Sequence, residues 1–330
     1  MGQVAFVYGS SRYDIVRNAL SLVAEEVREA LRGRSEILIK PNFVSNSRQL
    51  AATHVDAVRA YLDFIRDFYR GSILIAEGSG FGHTRRGFRH YGYLHLEQHY
   101  GVRLIDLNRE AETVEIEILD NNFRPFPIHL NRRMVEAECI ISIAPMKTHN
   151  EVVATLSIKN VLMCTPIRGK NTLELLGSWM LPRIFKNYRA AVHQGYPAIN
   201  VNLRTLMDYV YPDFAIVDGF KAMEGNGPCS GDPVDMRVAC VSKDALACDV
   251  LAAHLMGFDL NQIGYLYYAH RDHLGEGDLS RIEVVGDEPA RYRRPFRGHD
   301  CLQAQLQWHL ESLENIEVRK SGCTTMRSCD

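Results

Sequence analysis

Strand-length apolar runs alternate with amphipathic segments along most of the chain, and this alternation constrains the fold more than any other feature. Apolar residues recur at helical spacing over residues 16–31 and 55–68, and further helices are expected over 200–210 and 244–256. The predicted strands are residues 4–8, 36–40, 73–76, 103–107, 139–144, 214–218 and 236–242. This order is typical of βαβ units, so the sequence predicts an α/β fold with mainly parallel sheets and helices on both faces.

The predicted fold divides into two parts near residue 125. Residues 114–119 alternate apolar residues with glutamates and precede a polar Asp-Asn-Asn turn, as in a half-exposed antiparallel strand. We therefore expect two α/β subdomains, residues 1–125 and 126–290, with a cleft between or above them. Residues 291–330 are expected to form a peripheral helix and a polar tail.

Charge and hydropathy argue against two classes of partner. The chain has 330 residues, of which 46% are hydrophobic, and a net charge of -2 with basic and acidic residues interspersed. Such a surface has no single-sign field to attract a nucleic-acid backbone. No apolar run is long enough to cross a bilayer, and the N-terminus lacks a basic segment followed by an apolar one. We expect a cytoplasmic protein that binds neither nucleic acid nor membrane.

The cysteines favour reduced thiols. Eight cysteines are too few for a disulfide framework at this length, and none of them forms a CxxC pair. A self-contained iron–sulfur motif is therefore absent from the sequence. Cys323 and Cys329, near the C-terminus, are the most closely spaced pair, and the sequence assigns them no ligand.

Polar or glycine-rich clusters follow five of the predicted strands. They are PNFVSN after Lys40, EGSGFGHT after Ala76, Asn108-Arg109 after Leu107, KTHN after Ala144, and DGFKAMEGNGP after Val217. The carboxyl ends of parallel strands lie at one edge of a sheet, where open α/β sheets bind their ligands. We therefore expect these remote segments to line one crevice.

The KTHN cluster carries the clearest chemistry. Lys147, Thr148 and His149 are expected just past a buried strand, and Lys159 and Asn160 lie in TLSIKN, which is short and apolar enough to return to the same rim. Lysine supplies a point charge and histidine titrates near neutrality, so this cluster predicts a site for a small anionic molecule. His149 is the predicted proton carrier, and Lys159 is a catalytic candidate if apolar surroundings lower its pKa. A solvated lysine paired with a glutamate is the alternative for Lys159.

The glycine-rich cluster is a second candidate for anion binding. Free backbone N–H groups of Gly78, Ser79 and Gly80, with the Ser79 hydroxyl, are predicted to hold a phosphate or carboxylate, and Asn42 of the first cluster is expected beside them. The cluster matches neither the dinucleotide-binding fingerprint nor the Walker pattern. A strand-to-helix turn without a ligand explains the same residues equally well.

Carboxylates in two clusters suggest a divalent metal. Asp218, Glu224 and Asn226 lie in one glycine-rich segment, and Glu77 begins another. Carboxylate oxygens can bind a hard cation, so Asp218, Glu224 and Glu77 are candidate metal ligands, while Glu224 is also a candidate catalytic base and Asn226 a substrate ligand. Asp and Asn before Gly are also ordinary turn residues, and each of these positions is open to that simpler interpretation.

A long irregular connection, residues 165–194, is expected to act as a lid over the crevice. It carries Arg168, Lys170 and His193. Connections of this length in compact domains are usually functional or disordered.

The order of the motifs resembles a known family. IKPNFV, THVDAV, AEGSG, MKTH, TLSIKN, DGF with EGNGP, and DALACDVLAAHLMG occur together between about residues 36 and 287, as in the domain of unknown function 362 family. The resemblance implies a family without implying an activity. Its members are often joined to ferredoxin-type cysteine modules, which implies redox surroundings and a ferredoxin-like partner, although this chain lacks those cysteines. A more remote resemblance, at the level of the fold, is to lactate-racemase-like enzymes.

Two functions are consistent with these observations. The first is an enzyme that acts on a phosphorylated or carboxylated small molecule, with dependence on a divalent metal or redox cofactor left open. The second is a non-catalytic cofactor-binding or redox-accessory protein that works with an iron–sulfur partner. The sequence favours the enzyme and leaves its cofactor and reaction unknown.

Overall fold

The structure, a computed structural model, describes residues 2–80, 82–168 and 187–310. Within these ranges ten strands form one sheet, whose order is β12-β1-β11-β9-β7-β2-β3-β4, with β8 added to β7 and β10 added to β9. Two further strands, β5 and β6, form a separate hairpin. The strands are β1 Gln3–Tyr8, β2 Glu36–Lys40, β3 Ser72–Glu77, β4 Arg103–Asp106, β5 Thr113–Leu119, β6 Pro125–Asn131, β7 Ile140–His149, β8 Val153–Thr155, β9 Phe214–Glu224, β10 Asp232–Val234, β11 Val238–Ser242 and β12 Glu283–Gly286.

The sheet is mainly parallel, as the sequence predicts. From β9 through β7, β2 and β3 to β4, every neighbouring pair is parallel. β11 runs antiparallel to both of its neighbours, β1 and β9. The hairpin of β5 and β6 is antiparallel, which confirms the expectation for residues 114–119.

Helices cover both faces of the sheet. They are α1 Arg12–Leu22, α2 Ala24–Leu31, α3 Val55–Ile65, α4 Thr84–His90, α5 Leu94–Tyr100, α6 Arg132–Val135, α7 Ser157–Leu162, α8 Tyr188–Val192, α9 Tyr196–Met207, α10 Ala245–Leu255, α11 Gly264–Arg271 and α12 Leu302–Gln305, with 3₁₀ turns at Gln49–Ala51, Leu260–Gln262, Leu279–Arg281, Pro289–Arg291 and Leu306–Leu310. The helical pattern over residues 16–31 is split at Val23, which has non-helical backbone angles.

The alternation of side chains along each strand builds two cores. On β2, Ile37 and Ile39 pack into one core with α1, α2 and α3, whereas Leu38 packs into the other core with α7, α9, α10 and α11. Both neighbours of β2 are strands, so its residues are buried on both faces. This confirms the α/β class with helices on both faces.

Two strands are longer than the sequence predicts. β7 continues past Ala144 to His149, and β9 continues past Asp218 to Glu224. Each extension has its own antiparallel partner, β8 for β7 and β10 for β9. The KTH residues and the whole DGFKAME segment are therefore strand residues rather than the loops that we expected.

Strands from both predicted subdomains pair in the one sheet. The boundary at residue 125 falls within the hairpin of β5 and β6, and the division into subdomains stays a prediction. The described part of residues 291–310 contains α12, whereas the predicted polar tail, with Cys323 and Cys329, lies outside the described residues. None of the described helices has the length and apolar character needed to cross a membrane.

Candidate functional site

A cavity of about 560 Å³ opens beside the carboxyl ends of β2, β3 and β7. Its wall combines the segments after these strands with α7, residues 163–168, residues 187–193 and the loop after β9. Predicted site residues that line it are Asn42, Glu77, Gly78, Gly80, His149, Lys159, Asn160 and Asn226, whereas Lys147, Thr148, Ser79, Asp218 and Glu224 do not. The structure thus brings together most of the remote segments that the sequence assigns to one rim.

The inner end of the pocket is a network around Lys40, which the sequence analysis did not single out. Lys40 Nζ lies 2.6 Å from Glu77 Oε2 and 3.3 Å from Asn160 Oδ1. Glu77 Oε2 also accepts the backbone N–H of Phe43 at 3.0 Å. All of these polar groups are buried, so Glu77 neutralises Lys40 and fixes the turn after β2.

Lys147 lies behind the pocket wall rather than in it. Its Nζ donates to Asn42 Oδ1 at 2.6 Å and to the carbonyl of Ala51 at 3.2 Å. Asn42 in turn donates to Asn160 Oδ1 at 2.9 Å, which links Lys147 to the wall. Burial lowers the pKa of Lys147 to about 7. Direct contact with a ligand was the expectation for Lys147, and its placement instead makes it a support for Asn42.

In the glycine-rich loop after β3, the N–H groups of Gly78, Ser79 and Gly80 are all used within the protein. The N–H of Gly78 donates to Glu77 Oε1, that of Ser79 to Thr84 Oγ1 and that of Gly80 to the Phe43 carbonyl. The Ser79 hydroxyl donates to the side chain of Asn46 at 2.6 Å. The predicted cradle is therefore a strand-to-helix turn that leads into α4.

The same loop presents its carbonyl groups to two buried guanidiniums. Arg168 donates to the carbonyls of Gly80 at 2.6 Å and Gly82 at 2.8 Å, and Arg189 donates to the carbonyls of Gly78 and, at 3.0 Å, Cys164. Neither arginine has a carboxylate partner in the part of the chain that the structure describes, and Arg168 Nε has no acceptor there. Burial, and secondly the charge of Arg189, lower the pKa of Arg168 to about 10. Among the described residues, backbone carbonyl groups are thus the main hydrogen-bond partners of these two guanidiniums, and the charge of Asp106 favours that of Arg168 without a direct ion pair.

His149 and Lys159 form a close pair on the pocket wall. Lys159 Nζ lies 3.0 Å from His149 Nε2, and the other ring nitrogen, Nδ1, accepts the backbone N–H of Glu151 at 3.0 Å. Burial lowers the pKa of Lys159 to about 8, and burial together with the Lys159 charge lowers the pKa of His149 well below its ordinary value. The structure places His149 and Lys159 together at the rim, where the sequence led us to expect them.

A second histidine lies beside the pair. The ring of His193 stacks 6.4 Å from that of His149, and its Nε2 lies 3.8 Å from Glu151 Oε1. Burial lowers the pKa of His193. Cys164 lies at the opposite wall, where its Sγ accepts the N–H of Gly78 at 3.2 Å and where burial raises the pKa of its thiol. His193 and Cys164 are buried, and Glu151 is the carboxylate whose charge acts on both Lys159 and His193.

Asp218 lies on the other face of the sheet. Phe214 and Ile216 point into the core beneath α1, and Asp218 follows at the same two-residue period. Arg12 of α1 pairs with it, with Nε 2.9 Å from Asp218 Oδ2. Lys40 shares the opposite face with Leu38, which explains why strand order alone placed Asp218 in the pocket incorrectly.

Glu224 and Asn226 form hydrogen bonds with residues 297–300, near the end of the described chain. Glu224 Oε2 accepts the backbone N–H of Arg297 at 3.0 Å, and Asn226 exchanges two hydrogen bonds with Asp300. The three candidate metal ligands therefore bind separate partners. No group of three His, Cys, Asp or Glu residues within residues 2–80, 82–168 and 187–310 has the spacing to hold a metal ion. The expected carboxylate site is not formed by Glu77, Asp218 and Glu224.

The family follows from a match that covers most of the chain. Residues 37–254 match the model of the family described as Domain of unknown function (DUF362). The chain belongs to the DUF362 family. This agrees with the resemblance that the order of motifs gave.

One relative and one solved structure are similar to this DUF362 protein. A thylakoid-associated protein of Synechocystis sp. (strain ATCC 27184 / PCC 6803 / Kazusa) is 22% identical over 225 residues, which cover 68% of this chain and 63% of that protein. The chain therefore spans less than two thirds of that relative's length. The lactate racemase apoprotein from Thermoanaerobacterium thermosaccharolyticum aligns over 76% of this chain and 57% of its own, with 14% identity and a TM-score of 0.44. This structural similarity is too weak to argue from.

Three residues of the DUF362 pocket were missed by the sequence analysis. Lys40 ends an otherwise apolar strand, and a cation in that position is a usable signal for a buried ion pair. Arg189 and Cys164 gave no signal, because their partners are backbone groups of the remote loop at Gly78. Arg168 and His193 were placed only in a lid, and the structure puts both in the pocket wall.

Proposed function

We propose that this DUF362 protein is an enzyme that binds a small carboxylated or phosphorylated molecule in the pocket and exchanges a proton with it through His149 and Lys159. The observation that carries the proposal is the presence, in one cavity, of a lysine–histidine pair and of two buried guanidiniums that have no carboxylate partner among the described residues. The first feature supports the chemistry and the second supports the class of ligand.

The anion is argued from the arginines. A buried cation is costly unless a charge or a full set of acceptors compensates it, and a guanidinium forms its strongest hydrogen bonds with carboxylates and phosphates. The charge of Arg189 disfavours that of Arg168, and Arg168 retains an unused N–H at Nε. A bound anion would satisfy this N–H and neutralise the pair.

The proton transfer is argued from the lysine and histidine. A general acid or base works best when its pKa lies near the working pH, and burial moves the pKa of Lys159 to about 8. Perturbed titratable groups that face a cavity are typical of active sites. The cavity of about 560 Å³ is within the range of roughly 300–1,000 Å³ that is usual for small-molecule sites.

Anion binding is tested with the purified protein and inorganic phosphate, oxalate or pyruvate. We expect at least one of these anions to raise the Tm. The Arg168→Gln and Arg189→Gln variants should need at least a tenfold higher concentration of that anion for the same rise in Tm. Arg66→Gln, at the C-terminal end of α3, is the matched control, since the Arg66 side chain is 60% exposed and lies outside the pocket. Equal responses from all variants would refute the anion site.

Catalysis is tested after mass spectrometry of molecules that co-purify with the protein. Turnover of the identified molecule should fall by about 10²-fold or more in Lys159→Met and in His149→Gln, because both variants remove a proton-transfer group. Binding with no turnover by the wild-type protein would instead favour the non-catalytic carrier.

A further inference from the structure

The hydrogen bonds of His149 specify the state of Lys159. The backbone N–H of Glu151 points to His149 Nδ1 at 3.0 Å, so Nδ1 must offer its lone pair. A neutral imidazole with an unprotonated Nδ1 carries its proton on Nε2. That proton faces Lys159 Nζ at 3.0 Å, so the amine must accept it. An ammonium has no lone pair with which to accept, so Lys159 is the free amine in this hydrogen-bond arrangement, and this is the form that prevails above its pKa of about 8.

The opposite arrangement leaves two donors facing each other. If Lys159 were an ammonium donating to Nε2, the ring proton would move to Nδ1 and would meet the N–H of Glu151. A buried pair of opposed donors costs about 1–3 kcal/mol or more. Lys159 is only 4% exposed, and although the charge of Glu151 favours the ammonium form, Glu151 forms no ion pair with Lys159 within the described ranges. Burial, which lowers its pKa, favours the free amine.

We propose that Lys159 is a nucleophile that forms an imine with a small aldehyde or ketone bearing a carboxylate or phosphate. This inference rests on the proposed function, because it takes Arg168 and Arg189 to hold the anionic group. It adds the carbonyl as the reacting group of the substrate. A free amine on the wall of a pocket, with a proton donor 3.0 Å away, is the arrangement that such chemistry requires.

The step balances without an oxidant or reductant. The Lys159 lone pair forms a C–N bond to the carbonyl carbon, and the carbonyl π electrons move to oxygen. As the C–N bond forms, the nitrogen of Lys159 becomes positively charged and passes a proton to His149 Nε2, while in the same step the original Nε2 proton passes to the carbonyl oxygen, so the ring stays neutral throughout. The resulting carbinolamine loses its hydroxyl group with a proton as water and leaves an imine. Amine and carbonyl compound thus give imine and water.

Reductive trapping tests the imine. The full-length protein is incubated with pyruvate, or with glycolaldehyde phosphate, and sodium cyanoborohydride, and the adduct is located by intact-mass analysis and peptide mapping. We expect one adduct per chain at Lys159. Faster labelling by pyruvate would indicate a carboxylate ligand, and faster labelling by glycolaldehyde phosphate a phosphate ligand. Lys159→Arg keeps a positive charge and should give none. Lys243→Arg, which changes an exposed lysine on the surface, should label like the wild type.

The role of His149 has its own readout. In His149→Gln the Lys159 amine remains, but the ring that relays the proton is absent, so we expect adduct formation to be at least tenfold slower. Labelling at unchanged rate in this variant would refute the relay. If phosphate, oxalate or pyruvate raises the Tm through Arg168 and Arg189 while neither probe labels Lys159, the imine is refuted and the anion site stands. Adducts spread over exposed lysines, with the same yield in Lys159→Arg as in the wild type, would also refute the imine at Lys159.

Discussion

Lys159 gives the protein a pH dependence of stability that a surface lysine would not. Burial lowers its pKa from 10.5 to about 8, so between these values the unfolded chain binds more protons than the folded chain, and stability rises with pH. Below this range the folded protein must bury an ammonium, at a cost of about 3 kcal/mol. We expect Lys159→Met to raise the free energy of unfolding near pH 7, with the gain partly offset by the lost hydrogen bond to His149.

The gain should shrink as the pH approaches 10.5, where the lysine of the unfolded chain also becomes neutral. Urea unfolding followed by circular dichroism at several pH values measures it. Lys243→Met, at an exposed position, should change stability by less than about 0.5 kcal/mol at every pH. A Lys159→Met variant that is less stable than the wild type near pH 7 would show that Lys159 is not a buried base.

At the scale of elements, α7 is held in place by one buried carboxylate from α10. Asp249 Oδ1 accepts the N–H and hydroxyl of Ser157 at 2.8 and 2.6 Å, and Oδ2 accepts the N–H of Ile158 at 2.9 Å. These are donors at the first turn of the helix, which have no acceptor within it. Because α7 carries Lys159 and Asn160, Asp249 positions the reactive face of the pocket.

Asp249→Asn should destabilise the protein by about 2 kcal/mol, because the new amide N–H group would face the N–H of Ile158. Burial raises the pKa of Asp249 to about 7 although three donors favour its carboxylate, so unfolding is best measured near pH 8. Hydrogen exchange should accelerate at the amides of residues 157–160. Asp235→Asn, at an exposed ion pair with Arg237, is the control. Unchanged exchange at these amides would contradict the positioning role.

The loop after β9 packs directly on β7. A Cβ at Gly227 would overlap the carbonyl and hydroxyl oxygens of Thr148, so only glycine fits at this close approach. We expect Gly227→Ala to lower stability by about 1–3 kcal/mol and to weaken anion binding, because neighbouring loop residues line the pocket. Lys221→Ala, at an exposed position of β9 outside the pocket, should change neither property. Thermal unfolding with and without phosphate measures both.

Strands were predictable where the apolar run itself forms the strand, as for β2, whose predicted and observed bounds agree. Prediction failed where a strand continues through polar residues. The last residues of β7 are buried because β8 pairs with them and the loop after β9 packs on them, although Lys147 and His149 are polar. Such pairing depends on contacts that sequence periodicity does not contain.

At the scale of the whole molecule, the sequence predicted that remote segments would lie at one edge of the sheet. It did not predict the face of the sheet on which each side chain lies. Parallel strand order brings the ends of β2, β3 and β7 together, and this gave Asn42, His149 and Lys159 correctly as neighbours of one pocket. Register decides the face on which each side chain lies, and one residue of shift reverses it. For this reason Asp218 lies on the other face of the sheet, where it pairs with Arg12.

The sheet order also bears on whether residues 1–125 form an independent subdomain. β1 lies between β12 and β11, and β11, β9 and β7 separate it from β2. A fragment of residues 1–125 would therefore keep β2, β3 and β4 but lose every partner of β1. The core around Leu38 would lose the helices α7, α9, α10 and α11. The remaining apolar surface would be exposed to water, which removes the main driving force for folding.

We expect the fragment of residues 1–125 to be unfolded and the whole chain to unfold in one cooperative transition. Circular dichroism and the dispersion of amide signals in NMR measure the first, and calorimetry of the intact protein measures the second. Addition of a separately produced fragment of residues 126–330 should restore β1 to its place between β11 and β12, and with it the helical signal. A fragment of residues 1–125 that folds alone, or two calorimetric transitions in the whole chain, would instead establish the subdomains that the sequence predicts, because each half would then hold a core that is stable without the other.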